Sequence, residues 1–183
     1  MTLASTDADY GVLTAPDTVR VERLLPGPIT RVWRYLTEPD LRAQWFAGGP
    51  MAPHPGGAVA LVFKNSELTE HDDPAPAKYA RQAGTVHSSG TITDFDPPHL
   101  LGFLWGEGED ASHVRFELSE RGEQVRLVVI HSRLSSAGMI LSVSGGWHTH
   151  LDILGDCIAG RTPEGFWRKH TRLEAEYAKR LGL

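Results

Sequence analysis

The hydrophobic period of this chain changes once, from two residues to about 3.6, and the change falls at Gly138. Before it, Val114, Phe116 and Leu118 alternate with His113, Arg115 and Glu117, and Arg121-Gly122 turns the chain into Val125, Leu127, Val129 and His131. Alternation on both sides of a tight turn makes a hairpin, and hairpins in series make an antiparallel sheet. After it, Val143, Trp147, His150, Leu151, Leu154, Cys157 and Ile158 share one helical face, with Thr149, Asp152 and Asp156 on the other. One strand period followed by one helix period specifies an α+β protein, in which a helix over residues 139–159 packs on the sheet.

The rest of the chain supplies further strands and short helices. Residues 18–25 are β-rich and alternate, then Pro26-Gly27-Pro28 stops them. Ile29, Val32, Trp33 and Leu36 fall at helical spacing, and Glu38-Pro39-Asp40 separates them from a second short helical stretch with Leu41, Trp45 and Phe46. Val59, Leu61 and Phe63 make one face of a strand, residues 85–95 read as a strand broken near Gly90, and Leu101, Phe103 and Trp105 alternate beyond the Asp96-Pro97-Pro98 turn. Between these strands, residues 65–82 hold Glu67, Glu70, Asp72, Asp73, Pro74 and Pro76 with few apolar side chains. That composition predicts a mobile loop or a polar lid. Gly160 is placed to end the long helix, and Thr162-Pro163 to start another carrying Phe166, His170, Leu173, Tyr177 and Leu181 in one stripe. The expected organisation is a flexible arm over residues 1–16, a domain over 17–160 and a helical extension over 161–183.

Composition narrows the function classes. The formal net charge is −5, whereas a nucleic-acid binder presents a basic footprint to phosphates, so no nucleic-acid partner is expected. The chain has one cysteine, Cys157, which permits no intrachain disulfide and no multi-thiolate zinc site. No apolar run approaches the roughly 18 residues of a membrane span, and MTLASTDADYG lacks the features of a signal peptide. No membrane insertion and a cytoplasmic location are therefore expected.

Three stretches together resemble a known family. Val32-Trp33-Arg34-Tyr35-Leu36-Thr37-Glu38-Pro39 with Trp45-Phe46, Asp96-Pro97-Pro98-His99-Leu100-Leu101 through Trp105, and Gly145-Gly146-Trp147-His148-Thr149-His150-Leu151 are similar to motifs of one branch of the SRPBCC superfamily. That branch is named after the activator of the ninety-kilodalton heat-shock chaperone ATPase, and the resemblance covers residues 19–158. It implies the helix-grip, or START-like, fold: a curved antiparallel sheet of about six to seven strands around a long C-terminal helix, with two short helices after the first strand. A further C-terminal helix would follow. It also implies an internal cavity that in relatives takes apolar ligands. Nothing in residues 1–16 resembles the N-terminal domain by which eukaryotic members stimulate the chaperone, so a chaperone partner is not carried over. A homodimer is left open.

Within that frame the candidate cavity residues are Phe63, Phe103, Trp105, Phe116, Val129, His131, Trp147, His150, Leu151 and Leu154. Residues two apart on a helix point about 200° from each other, so His148 and His150 cannot grip one metal ion, and no metal or cofactor is expected. His150 lies on the apolar helix face and His131 continues the inward strand set. His150 is either a core histidine bonded to a backbone carbonyl or a polar contact for a ligand, and His131 either faces the same interior and orients a ligand or stands half-exposed near its strand's end. The leading reading is a domain that binds a small apolar molecule, with no catalytic residue assigned. An aromatase/cyclase-like or hydrolase-like enzyme using a cavity histidine is the second reading, and a protein-interaction module the third.

Overall fold

The computed structural model describes residues 7–183 and shows one seven-stranded antiparallel sheet wrapped around a long helix. The elements are β1 (Val12–Ala15), β2 (Thr18–Pro26), α1 (Ile29–Thr37), α2 (Pro39–Arg42), β3 (Ala58–Phe63), β4 (Val86–Asp96), β5 (Leu100–Trp105), β6 (Ser112–Arg121), β7 (Gln124–Ser132), α3 (Ala137–Ala159) and α4 (Phe166–Leu181). The sheet order is β1-β2-β7-β6-β5-β4-β3. The expected hairpin forms in register, pairing Val114 with His131, Phe116 with Val129 and Leu118 with Leu127. Because side chains alternate across a strand, this register puts all six on the concave face that packs on α3.

Several sequence readings change at the edges. Residues 1–6 of the expected arm lie outside the described residues. The remainder of that arm is built in: β1 pairs with β2 through Val12–Arg20 and Leu13–Val19. The second short helix stops at Arg42, leaving Trp45 and Phe46 on the loop that follows. Strand β4 runs unbroken through Gly90.

Helix α3 is buried on more than one side, which its sequence period did not show. Ser136 caps its start by accepting from Met139 N at 3.2 Å, and Gly160 ends it in the left-handed conformation at φ 66°. Trp147, His148, Thr149, His150 and Leu151 are buried in unbroken succession. Thr149, expected on the outer face, is covered because β2 and α4 pack on the side away from the sheet centre. Gly145 permits that closeness: a Cβ there would stand 3.5 Å from the Glu174 backbone, so any side chain longer than a methyl would push α4 away.

Charge joins the three elements. Asp152 of α3 receives Arg23 Nε of β2 at 2.9 Å on one oxygen and Lys169 Nζ of α4 at 2.5 Å on the other. Burial opposes the Asp152 charge, but Arg23 and Lys169 overcome that and hold its carboxyl below the ordinary value. The two cations are themselves buried, so removing the carboxylate would strand both. Asp152→Asn is expected to lower unfolding free energy by about 3–5 kcal/mol in denaturant titrations, the typical cost of breaking a buried pair.

The acidic segment 65–82, expected to be a mobile loop or a polar lid, is tied to α4 and contributes Asn65, Tyr79 and Gln82 to the wall of a cavity. Helix α4 begins at Phe166 and not at Pro163, and its start has no cap of its own. Asp72 supplies one from a distance, accepting from Trp167 N at 2.7 Å and Arg168 N at 3.2 Å, while Thr69 Oγ1 accepts from Phe166 N at 2.9 Å. Donors with no intrahelical partner, at the positive end of the helix dipole, favour a carboxylate here. A Cβ on Gly165 would meet Asp72 Oδ1 at 2.4 Å, so the cap requires glycine at that position. Farther along, Tyr79 OH donates to Glu174 at 2.6 Å and Lys78 pairs with the same carboxylate. Asp72→Ala should cost about 1–2 kcal/mol, the upper range for a lost cap, and should speed proteolysis within residues 66–80.

Candidate functional site

Between the open end of the sheet, α3 and the strap-tied start of α4 lies a cavity of about 360 Å³. Its walls come from every layer of the fold: Phe63 of β3, Trp105 of β5, His131 of β7, Trp147 and His150 of α3, and Phe166 of α4. Phe46, on the loop after α2, packs against Phe63, Trp105, Trp147 and His150 at ring separations of 5.0–5.7 Å. Phe63 and Trp105 stack almost parallel, 5.4 Å apart at 7°.

Of the ten residues predicted to line a cavity, Phe63, Trp105, His131, Trp147 and His150 do so. Phe103, Phe116, Val129, Leu151 and Leu154 lie deeper, in the close-packed core between sheet and helix. Strand and helix periods identify which side faces inward, but not how far along that side the packing stays tight. The sequence reading also missed lining residues: Phe46, Trp167 and His170, with Tyr79 from the acidic segment. His170 was visible only as part of the α4 stripe, because nothing local says that this stripe covers a cavity.

The two inward histidines differ in what they leave free. His131 Nδ1 accepts from the indole N–H of Trp147 at 3.0 Å. An indole nitrogen can only donate, so the His131 proton sits on Nε2, which donates to Ser112 Oγ at 2.8 Å. Both nitrogens are used within the protein. Burial, with a small contribution from the neighbouring His113, lowers the His131 pKa to about 3. His131 is thus buried and not half-exposed, and it presents to the cavity a ring stacked 5.7 Å from Trp105 with no nitrogen left over.

His150 spends one nitrogen only. Its Nδ1 faces the Trp45 carbonyl at 2.6 Å, and burial lowers its pKa to about 4 despite that carbonyl's opposing effect. A neutral ring facing a carbonyl through Nδ1 carries its proton there, which leaves Nε2 as an acceptor. Trp45 is held in turn by its indole N–H, which donates to the Tyr35 carbonyl at 2.8 Å. The loop is fastened by Arg42, whose guanidinium donates to the carbonyls of Ala47 at 2.8 Å and Gly49 at 2.5 Å. Across the cavity, His170 is 4% exposed, and its Nδ1 has no hydrogen-bond partner among the described residues. Burial also lowers its pKa, against the pull of Glu174.

A curved sheet gripping a long helix, with an aromatic-walled cavity and a terminal helix for its cover, defines a helix-grip protein of the SRPBCC superfamily. The family model described as Activator of Hsp90 ATPase homolog 1-like protein matches residues 26–159, and the chain belongs to that family. It is similar over 98% of its length to 95% of a Bordetella parapertussis protein solved by NMR, with 42% identity and a TM-score of 0.78. CalU16 from Micromonospora echinospora shares the fold at 24% identity and a TM-score of 0.65, covering 91% of this chain and 88% of that one. Aha1 from Colwellia psychrerythraea, solved as a dimer, shares it at 12% identity and 0.58, over 77% and 95% of the two chains. No curated protein matches. No helix among the described residues is long and apolar enough to cross a membrane.

Histidines kept neutral by burial make stability depend on pH with a definite sign. His131 is lowered to about 3, and His148 and His150 to about 4, all chiefly by burial. The unfolded chain binds these protons from near the ordinary histidine value, so the stabilisation is complete above about pH 6.5 and lost as pH falls toward the folded values. Each histidine should contribute a slope of up to about 1.4 kcal/mol per pH unit within that window. Denaturant titrations from pH 7 to 4.5 check this, and His131→Gln should flatten the slope by one histidine's share.

Proposed function

We propose that this protein binds a small, mainly apolar molecule in the cavity beneath α4, and that it acts as a carrier or sensor of that molecule and not as an enzyme. The observation that carries the reading is a buried ring nitrogen, His170 Nδ1, without a partner among the described residues, in the wall of a cavity rich in aromatic side chains. A polar atom left unsatisfied in the interior costs about 1–3 kcal/mol, and a bound molecule is one means of meeting that cost. The volume falls at the lower end of the roughly 300–1,000 Å³ usual for small-molecule sites, which suits a guest of two or three rings.

Basicity argues against the enzymatic alternative. A general base works best with a pKa near the working pH, and His150, lowered to about 4, is a weak base at neutrality. His131 has no nitrogen to offer, as both are engaged. Cys157, half-buried with its thiol pKa raised by burial, is no better as a nucleophile.

Gly146 provides the test. It lines the cavity, and a Cβ added there meets nothing within 4 Å, so Gly146→Phe can fill the space without disturbing the helix backbone. N-phenyl-1-naphthylamine, an uncharged dye that brightens in apolar surroundings, should bind the unaltered protein with micromolar affinity. Gly146→Phe should lose that binding at least tenfold while its melting temperature stays equal or rises, since glycine in a helix interior costs about 1 kcal/mol. Equal dye binding by both proteins would remove the cavity from consideration.

A further inference from the structure

The hydrogen-bond ledger of the cavity wall is lopsided. The indole and phenol donors of the wall are spent within the protein: the Trp105 indole on Ser88 Oγ at 2.9 Å, the Trp147 indole on His131, the Trp167 indole on Ser66 Oγ at 2.8 Å and the Tyr79 hydroxyl on Glu174. The two histidine N–H groups fixed above are spent as well, on Ser112 and on the Trp45 carbonyl. What remains unspent leans to acceptors: Nε2 of His150, and the Asn65 side-chain oxygen, buried without a partner among the described residues. Gln82 and His87 retain donors, but they stand at the exposed rim, while Ser142 and the unpartnered His170 Nδ1 across the cavity can serve in either sense. The lining contains no lysine or arginine.

Resting on the ligand-site reading, we infer that the cavity selects an uncharged, mainly aromatic molecule through a hydroxyl or N–H that donates to His150 Nε2, and that it turns away carboxylates. The selection follows from the fixed tautomer. The Trp45 carbonyl holds the His150 proton on Nδ1, so Nε2 cannot donate to a carbonyl or a carboxylate without breaking a buried bond. An ionised carboxylate would point lone pairs at a lone pair, and it would lose its water in a wall that offers no cation. Phe63 and Trp105, stacked and nearly parallel, give the rings of such a guest a flat surface.

Four probes of one shape test this: 2-naphthol, 2-methoxynaphthalene, naphthalene and 2-naphthoate, titrated at pH 7 against the fluorescence of Trp105, Trp147 and Trp167, all in the wall. The expected order is 2-naphthol tightest, the ether and the hydrocarbon about tenfold weaker or more, and the naphthoate weaker by at least about a hundredfold. His150→Leu should bring 2-naphthol down to the level of the ether and leave the ether unchanged. Should that variant fail to fold, the order on the unaltered protein decides. Naphthoate binding as well as the naphthol, or naphthol and ether binding alike, would overturn donor selection while leaving the ligand site standing. If none of the four binds, the ligand-site reading itself falls and takes donor selection with it.

Discussion

At the carboxylate of Asp152 the sheet, the long helix and the terminal helix meet through charge, and the roof of the cavity rests on that junction. Arg23 comes from β2, Lys169 from α4, and the acceptor from α3. Buried cations that share one counter-charge give this junction a strong preference for one geometry. That geometry lays α4 along α3, where Phe166, Trp167 and His170 roof the space that the sheet alone would leave open. Apolar packing fills the core beneath, but the charge node determines where the roof rests.

Much of this architecture was legible in the residues. The alternation from Val114 to His131 carried both the hairpin and its register, because a slip of one residue would turn every apolar side chain outward. The period change at Gly138 marked α3, and Gly160 marked its end. What stayed hidden was long-range. Nothing near Asp72 announces that it caps a helix starting more than ninety residues later, and a segment rich in Asp, Glu and Pro looks the same whether it is free or tied. Thr149 reads as a solvent residue until α4 covers it.

The candidate site was legible by half for a similar reason. Strand and helix periods sorted residues into inward and outward, which placed Trp105, Trp147 and His150 correctly on the inner side. They could not separate a wall from the solid core behind it, where Phe103 and Phe116 lie 6.2 Å apart as tilted rings. Nor could they show which histidine nitrogen is spent. That depends on partners at distant positions: Ser112 and Trp147 for His131, and the Trp45 carbonyl for His150.

Arg42 is buried with no carboxylate partner among the described residues; its guanidinium is satisfied by backbone carbonyls of the loop it fastens, and burial lowers its pKa only to about 10. The opposite wall is held through Asp152 and Glu174, whose cations keep their carboxyls below the ordinary range and which lose their charge only in stronger acid. The two walls of the cavity are therefore fastened by chemistries of different sensitivity. Loss of those carboxylate charges loosens the roof and leaves the Arg42 clamp charged, so the two fastenings answer differently to the same change in pH.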